Sequence, residues 1–189
     1  MALRRRFRTE AEEYAIEFRE ELKLGPTAPL DPWNLAEHLA VPVTSLSGHP
    51  AIANDVKLFF SHRESKFSAT TIADGAYREI VINDYKHPNR QRSSLTHELA
   101  HIVLGHPPRP PLTDETCRSF DANMEQEANE LGFTLLIPKM AALFAVEKFQ
   151  NLDEASKFYE VSLDLLRYRV RITNARGWAK NRARKFRGA

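Results

Sequence analysis

Leu95-Thr96-His97-Glu98-Leu99-Ala100-His101-Ile102-Val103-Leu104 decides how the rest of the chain is read. Apolar residues at 95, 99, 102 and 103 recur at helical spacing, and two histidines stand four apart among them. Four residues of α-helix advance about 400°, so His97 and His101 lie on one face a turn apart and can share one ion. Neutral imidazoles bonded at about 2.0–2.1 Å suit zinc, and a helix holds them rigidly. Glu98 lies about 100° round from His97, beside the open position of such an ion. There it can take a proton from water and hand it to a leaving amine. The plain alternative is a surface helix that happens to carry two histidines, and the apolar flanks that would bury its back face count against it.

A catalytic zinc needs a third protein ligand and one open position. His106 follows five residues after His101, but the metzincin pattern asks for glycine and histidine where this chain has Leu104 and Pro107. Cys117 is a good ligand chemically and sits in a proline-rich stretch. Glu125 and Glu127 lie in the next helical segment, Asp121 to Ile137, which ends at Pro138. Helical phase separates the two carboxylates. Glu125 shares a stripe with Ala128, Asn129 and Gly132, small residues that let two helices approach, whereas Glu127 belongs with Glu130 and Thr134. Phase therefore selects Glu125, with Glu127 and Cys117 as the alternatives. Asn129, one turn on, could hydrogen-bond a ligating histidine.

Outward from this centre, Thr9 to Leu24 reads as a helix with Thr9 as cap, and Asp31-Pro32 opens a short one through Leu39. The period then changes. Val41–Leu46, Val56–Ser61, Phe67–Ile72 and Tyr77–Asn83 are short β-branched or aromatic runs parted by turn residues, which predicts a small antiparallel sheet of hairpins. The last of them, with Ile80, Val81, Ile82 and Asn83, directly precedes the histidine helix and is expected to be the edge to which an extended substrate adds. Prolines 107, 108, 110 and 111 predict a loop over residues 106–120. Two or three more helices are expected over 139–174, at 141–149, 153–159 and 162 to about 173. The order predicts an α+β fold: a small antiparallel sheet packed on the His-Glu-x-x-His helix and a second ligand-bearing helix, with a helical C-terminal part. We divide it into a core (9–138), a helical subdomain (139–174) and a flexible basic tail (175–189).

The chain has 189 residues, 42% hydrophobic and 28% charged, an ordinary globular balance. No apolar run approaches the roughly 18 residues of a membrane helix, the first residues lack the apolar core of a signal peptide, and one cysteine forms no internal disulfide. A cytoplasmic protein without a membrane partner is expected. The formal charge of +2 hides segregation. Of 27 Lys and Arg, four lie in residues 1–8 and nine in residues 167–189, where there is no acid. The other 14 share residues 9–166 with all 25 acids, a net of −11. The basic tail could neutralise phosphates of a nucleic acid, although a solvated end is the favoured reading since no base-reading motif accompanies it.

Taken together, Glu79-Ile-Val-Ile-Asn83, Arg90-Gln-Arg-Ser-Ser-Leu-Thr-His97-Glu98-Leu-Ala-His101, Glu125-x-x-Ala-Asn129 and Leu135-Leu-Ile-Pro138 resemble the ImmA/IrrE family of zinc metallopeptidases, a gluzincin-like group. The resemblance covers roughly residues 10–173. It implies a minimal zincin-like core, one zinc ion on His97, His101 and Glu125, and Glu98 as catalytic acid/base. It also implies a protein substrate, such as a helix-turn-helix repressor, cleaved in bacterial or phage regulation. No residue is identified to steady the developing oxyanion; Tyr159, Arg167, Tyr168 and Arg169 are candidates, and their favoured reading is as core or solvated helix residues. The rival expectation is a non-proteolytic regulator, or a toxin-type protein, with a zinc site and a nucleic-acid-binding tail.

Overall fold

The computed structural model describes residues 3–52, 54–61, 66–107 and 122–187. Helix α1 (Phe7–Glu21) buries Phe7, Ala11, Ala15 and Phe18 at helical spacing. Its entry is a left-handed Arg6 (φ 69°) with no side-chain cap, so Thr9 lies inside the first turn instead of capping it. Helix α2 (Pro32–His38) begins as expected, with the Asp31 carboxylate accepting from the Trp33 amide and proline in the first turn.

The sheet has strands β1 (Val43–Ser45), β2 (Ala69–Asp74) and β3 (Tyr77–Ile82) in the order β1-β3-β2. Strands β2 and β3 form the expected hairpin, with Asp74 opposite Tyr77 and Gly75 (φ 56°) in the turn. Strand β1 instead runs parallel to β3, Val43 opposite Ile80, so the sheet is mixed. A parallel neighbour needs a long crossover, and residues 46–68 supply it. That stretch includes helix α3 (Asn54–Ser61), where a strand over 56–61 was expected. Val56, Phe59 and Phe60 fit an i, i+3, i+4 pattern as readily as a short apolar strand, and Asn54 suits a helix start.

Strand β3 is therefore the middle strand. Its Ile80, Val81 and Ile82 are all buried, the continuous apolar pattern of a strand covered on both faces. The expectation that Ile80, Val81, Ile82 and Asn83 form the free edge is corrected. The first three pair with a neighbour on each side, and the Asn83 amide donates to the Ser68 carbonyl.

Helix α4 (Pro88–Val103) packs against β2, β3 and helix α5 (Ala122–Leu136). Its apolar stripe, Leu95 and Leu99, joins Ala128, Leu131 and Leu135 of α5 and the α1 residues in one buried cluster. The two helices touch at Gly132. A Cβ there would stand 3.1 Å from the Thr96 carbonyl oxygen and 3.2 Å from the His97 amide nitrogen. The loop expected over 106–120, with Cys117, falls almost wholly outside the described residues.

Helices α6 (Lys139–Lys148), α7 (Leu152–Phe158) and α8 (Leu163–Ile172, capped by Ser162) enclose a second buried cluster running from Leu136 to Ala175. A buried arginine fastens it to the first. Arg169, 1% exposed, donates to Glu130 (2.8 Å), to Glu12 (2.6 Å) and to the Ile137 carbonyl (2.8 Å), joining α8, α5 and α1. The tail expected to be flexible is helix α9 (Ala175–Arg187), seated on α6 through buried Ala175, an Arg182–Glu147 ion pair (3.3 Å) and the Lys139 amine 4.6 Å over the Trp178 ring.

Candidate metal centre

Local chain chemistry sets the first two donors. Helix α4 starts at His87, whose Nδ1 accepts from the Asn89 amide, and Pro88 fits its first turn. The helix then runs uninterrupted past His97 and His101, whose Nε2 atoms lie 3.2 Å apart. Glu125 stands in the first turn of α5, where the helix dipole favours a carboxylate. Its Oε2 is 3.3 Å from His97 Nε2 and its Oε1 is 3.4 Å from His101 Nε2. An ion bonded tetrahedrally at about 2.0–2.1 Å keeps neighbouring donors about 3.3 Å apart. The two imidazole nitrogens stand one such edge apart and each has a Glu125 oxygen at about that distance, so two imidazoles and a carboxylate converge as donors for a single ion. Among the described residues, these three are the group able to hold a metal. Glu127, the alternative, is turned elsewhere: its Oε1 accepts from Arg4 Nε at 2.8 Å.

Glu98 is 7% exposed, and its Oε2 accepts from the Thr71 hydroxyl of β2 at 2.7 Å. It lines both cavities that flank the three donors, one with His101 and His106, the other with His97 and Glu125. His101 has a partner on its far side. Helix α4 ends in a Schellman turn: Gly105 (φ 66°) bonds back to Ile102, and the His106 amide donates to the His101 carbonyl. The turn lays the His106 ring against His101, Nδ1 to Nδ1 at 2.9 Å. Were His101 Nε2 to bind an ion, its Nδ1 would carry the proton and His106 Nδ1 would accept it. His106 Nε2 then faces Glu127 Oε2 at 3.8 Å. Ligating histidines are commonly oriented by such outer hydrogen bonds, usually to a carboxylate or carbonyl. Here an imidazole stands between.

The model of the peptidase M78 family, described as the IrrE N-terminal-like domain, matches residues 50–171. The chain belongs to this family. A search of curated proteins finds no match. The matched span runs from before β2 into α8 and contains His97, Glu98, His101 and Glu125, so the family's peptidase activity and this donor set coincide on one segment.

Several expectations for this M78 peptidase are revised by the structure. Asn129 is exposed and lines the cavity beside Glu125, but it bonds neither histidine, and His97 Nδ1 is buried without a partner. None of the four oxyanion candidates lines either cavity. The Tyr159 hydroxyl donates to the Thr27 and Ala141 carbonyls, and burial pushes its pKa up to about 12. Tyr168 donates to Glu130 at 2.6 Å and is likewise raised, by burial first and by Glu130 second. Arg169 is taken up by the buried cluster, and Arg167 lies in the open beside Asp164. Thr71 and His106 were the residues to find. Gly105-His106 directly after a helix is a readable Schellman signal, but nothing local marks Thr71, which tertiary folding delivers.

Proposed function

We propose that this M78 peptidase is a zinc endopeptidase in which one zinc ion is held by His97, His101 and Glu125 and Glu98 is the general acid/base. The observation that carries this reading is the set of separations near 3.3 Å among two imidazoles and a carboxylate, with a second, buried carboxylate beside them. Zinc in such a site supplies Lewis acidity, polarising a carbonyl and making water a better nucleophile near neutral pH. The chain's residues do the rest. Thr71 fixes one oxygen of Glu98, leaving the other to accept a proton from the attacking water and return it to the departing amine. His106 holds the His101 ring in the tautomer whose Nε2 offers its lone pair to the ion.

The substrate reading follows from the sheet. Among the described residues strand β2 is an edge strand; its Thr70 and Thr71 line one cavity, while its Ala69 and the preceding Ser68 line the other. An extended peptide adding to β2 by main-chain hydrogen bonds crosses Glu98. We extend this to a repressor-like, helix-turn-helix regulator as the protein cleaved in the cytoplasm, on the resemblance to the ImmA/IrrE family. The test is Glu98→Gln. It should bind one zinc per chain as the wild type does while hydrolysis falls by about 10²–10⁴-fold. A variant that cleaves normally, or a biological effect untouched by the substitution, would favour a regulator that acts by binding.

A further inference from the structure

The two cavities beside Glu98, of about 190 and 340 Å³, have a charge that contrasts with the body around them. Residues 9–166 carry a net charge of −11. Yet the cations Lys66 and Arg90 line the cavity on the His97 side, and Arg78 lines the cavity on the His101 side. Among the described residues, the only acids in either lining are Glu98 and Glu125, whose two charges a divalent ion would offset.

These three cations differ from four other arginines of the chain. Arg4, Arg92, Arg169 and Arg182 each sit within 3.3 Å of a carboxylate. Among the described residues, Arg90 donates only to the Ser68 hydroxyl (3.2 Å), Arg78 only to the Gly75 and Tyr77 carbonyls, and Lys66 makes no side-chain bond. None of the three has an acidic partner among the described residues. An isolated cation in an acidic protein is drawn toward a carboxylate when one is within reach, so three with no acidic partner among the described residues around one cleft form a field for an anionic ligand. Their placement matches the path along β2. Lys66 precedes the strand, Arg90 is bonded to Ser68 at its start, and Arg78 lies across the hairpin from Ala73.

We propose that the cleft selects polypeptide segments bearing Asp or Glu on both sides of the bond presented to Glu98. This rests on the peptidase reading for the direction of the chain through the cleft, but not for the charge preference itself. Phe133, in the Lys66–Arg90 cavity, offers an apolar wall to the stem of such a side chain.

The test is equilibrium selection from a random decapeptide library on immobilised, zinc-loaded Glu98→Gln protein, followed by sequencing of the retained peptides. Asp and Glu should be enriched about two- to fivefold per position, the range expected for partly exposed ion pairs. The enrichment should shrink as salt rises. Lys66→Glu with Arg90→Glu, two exposed substitutions, should remove the acidic preference on one side only, and Arg78→Gln should weaken it on the other. Retained peptides with no acidic enrichment, or with Lys and Arg enriched, overturn the proposal, as does an acidic preference that survives both sets of substitutions. Incubating the retained peptides with the wild type separates the two claims. Acidic enrichment without cleavage removes the peptidase reading and leaves the charge preference standing. Cleavage without acidic enrichment does the reverse.

Discussion

Replacing Gly132 with alanine puts one methyl group where α5 meets the α4 backbone. In an unobstructed helix this change stabilises by about 0.8–1.0 kcal/mol, because alanine is the better helix former. Here the new carbon would lie 3.1 Å from the Thr96 oxygen and 3.2 Å from both the Thr96 carbonyl carbon and the His97 nitrogen. All three are backbone atoms and cannot swing aside, so α5 must retreat by a few tenths of an ångström. Overpacking of this kind costs about 1–3 kcal/mol, which outweighs the propensity gain. We expect a net loss of about 1 kcal/mol, or roughly 2–4 °C in Tm for a chain of this size. The retreat also widens the separations between Glu125 and the two histidines, so zinc affinity by chelator competition should fall. Differential scanning calorimetry with and without zinc measures both effects. A Gly132→Ala protein that melts higher than the wild type and binds zinc equally well would refute the close contact between the ligand-bearing helices.

His106→Ala should lower zinc affinity about 10–100-fold, read by competition with a chromophoric chelator, while the metal-free protein melts within a degree or two of the wild type. Arg169→Ala strips the buried guanidinium from Glu130, which is 3% exposed and keeps only the Tyr168 hydroxyl and the more distant Arg8, and should destabilise by about 3–5 kcal/mol in urea unfolding. Tyr159 gives a prediction in alkali. The fold keeps its hydroxyl protonated up to about pH 12, whereas the unfolded chain releases that proton near pH 10. The contribution is complete below pH 10 and is lost as pH rises from 10 to 12. The stability difference between the wild type and Tyr159→Phe should therefore narrow across that window, and a flat difference would contradict the burial of this hydroxyl.

What could be read in the chain beforehand follows from the reach of each physical signal. The relation of His97, Glu98 and His101 depends on helical pitch alone, and Glu125 was picked over Glu127 by phase along one helix. Both are local, and the structure brings the three donors together. Strand order is not local. The run Ile80-Val81-Ile82 did carry the mark of a strand covered on both faces, but its neighbours are set by a crossover of more than 20 residues through α3. The short apolar run within α3 suits helix or strand equally. Thr71 reaches Glu98 across 27 positions of sequence, and only the closed hairpin makes that meeting. The tail was judged by its charge, which says little about helix formation. Alanines 175, 179 and 183 and the long basic side chains are all good helix formers.

The Arg169 clamp bears on how the molecule comes apart. Glu130, on the same helix as the ligand Glu125, is neutralised by a guanidinium from a helix some forty residues later. A protein trimmed at Pro138 would retain that carboxylate with its principal counterion gone and the apolar side chains of Leu136 and Ile137 stripped of cover. The catalytic half and its helical appendix should thus melt in a single cooperative transition, and neither should survive as an independent fragment.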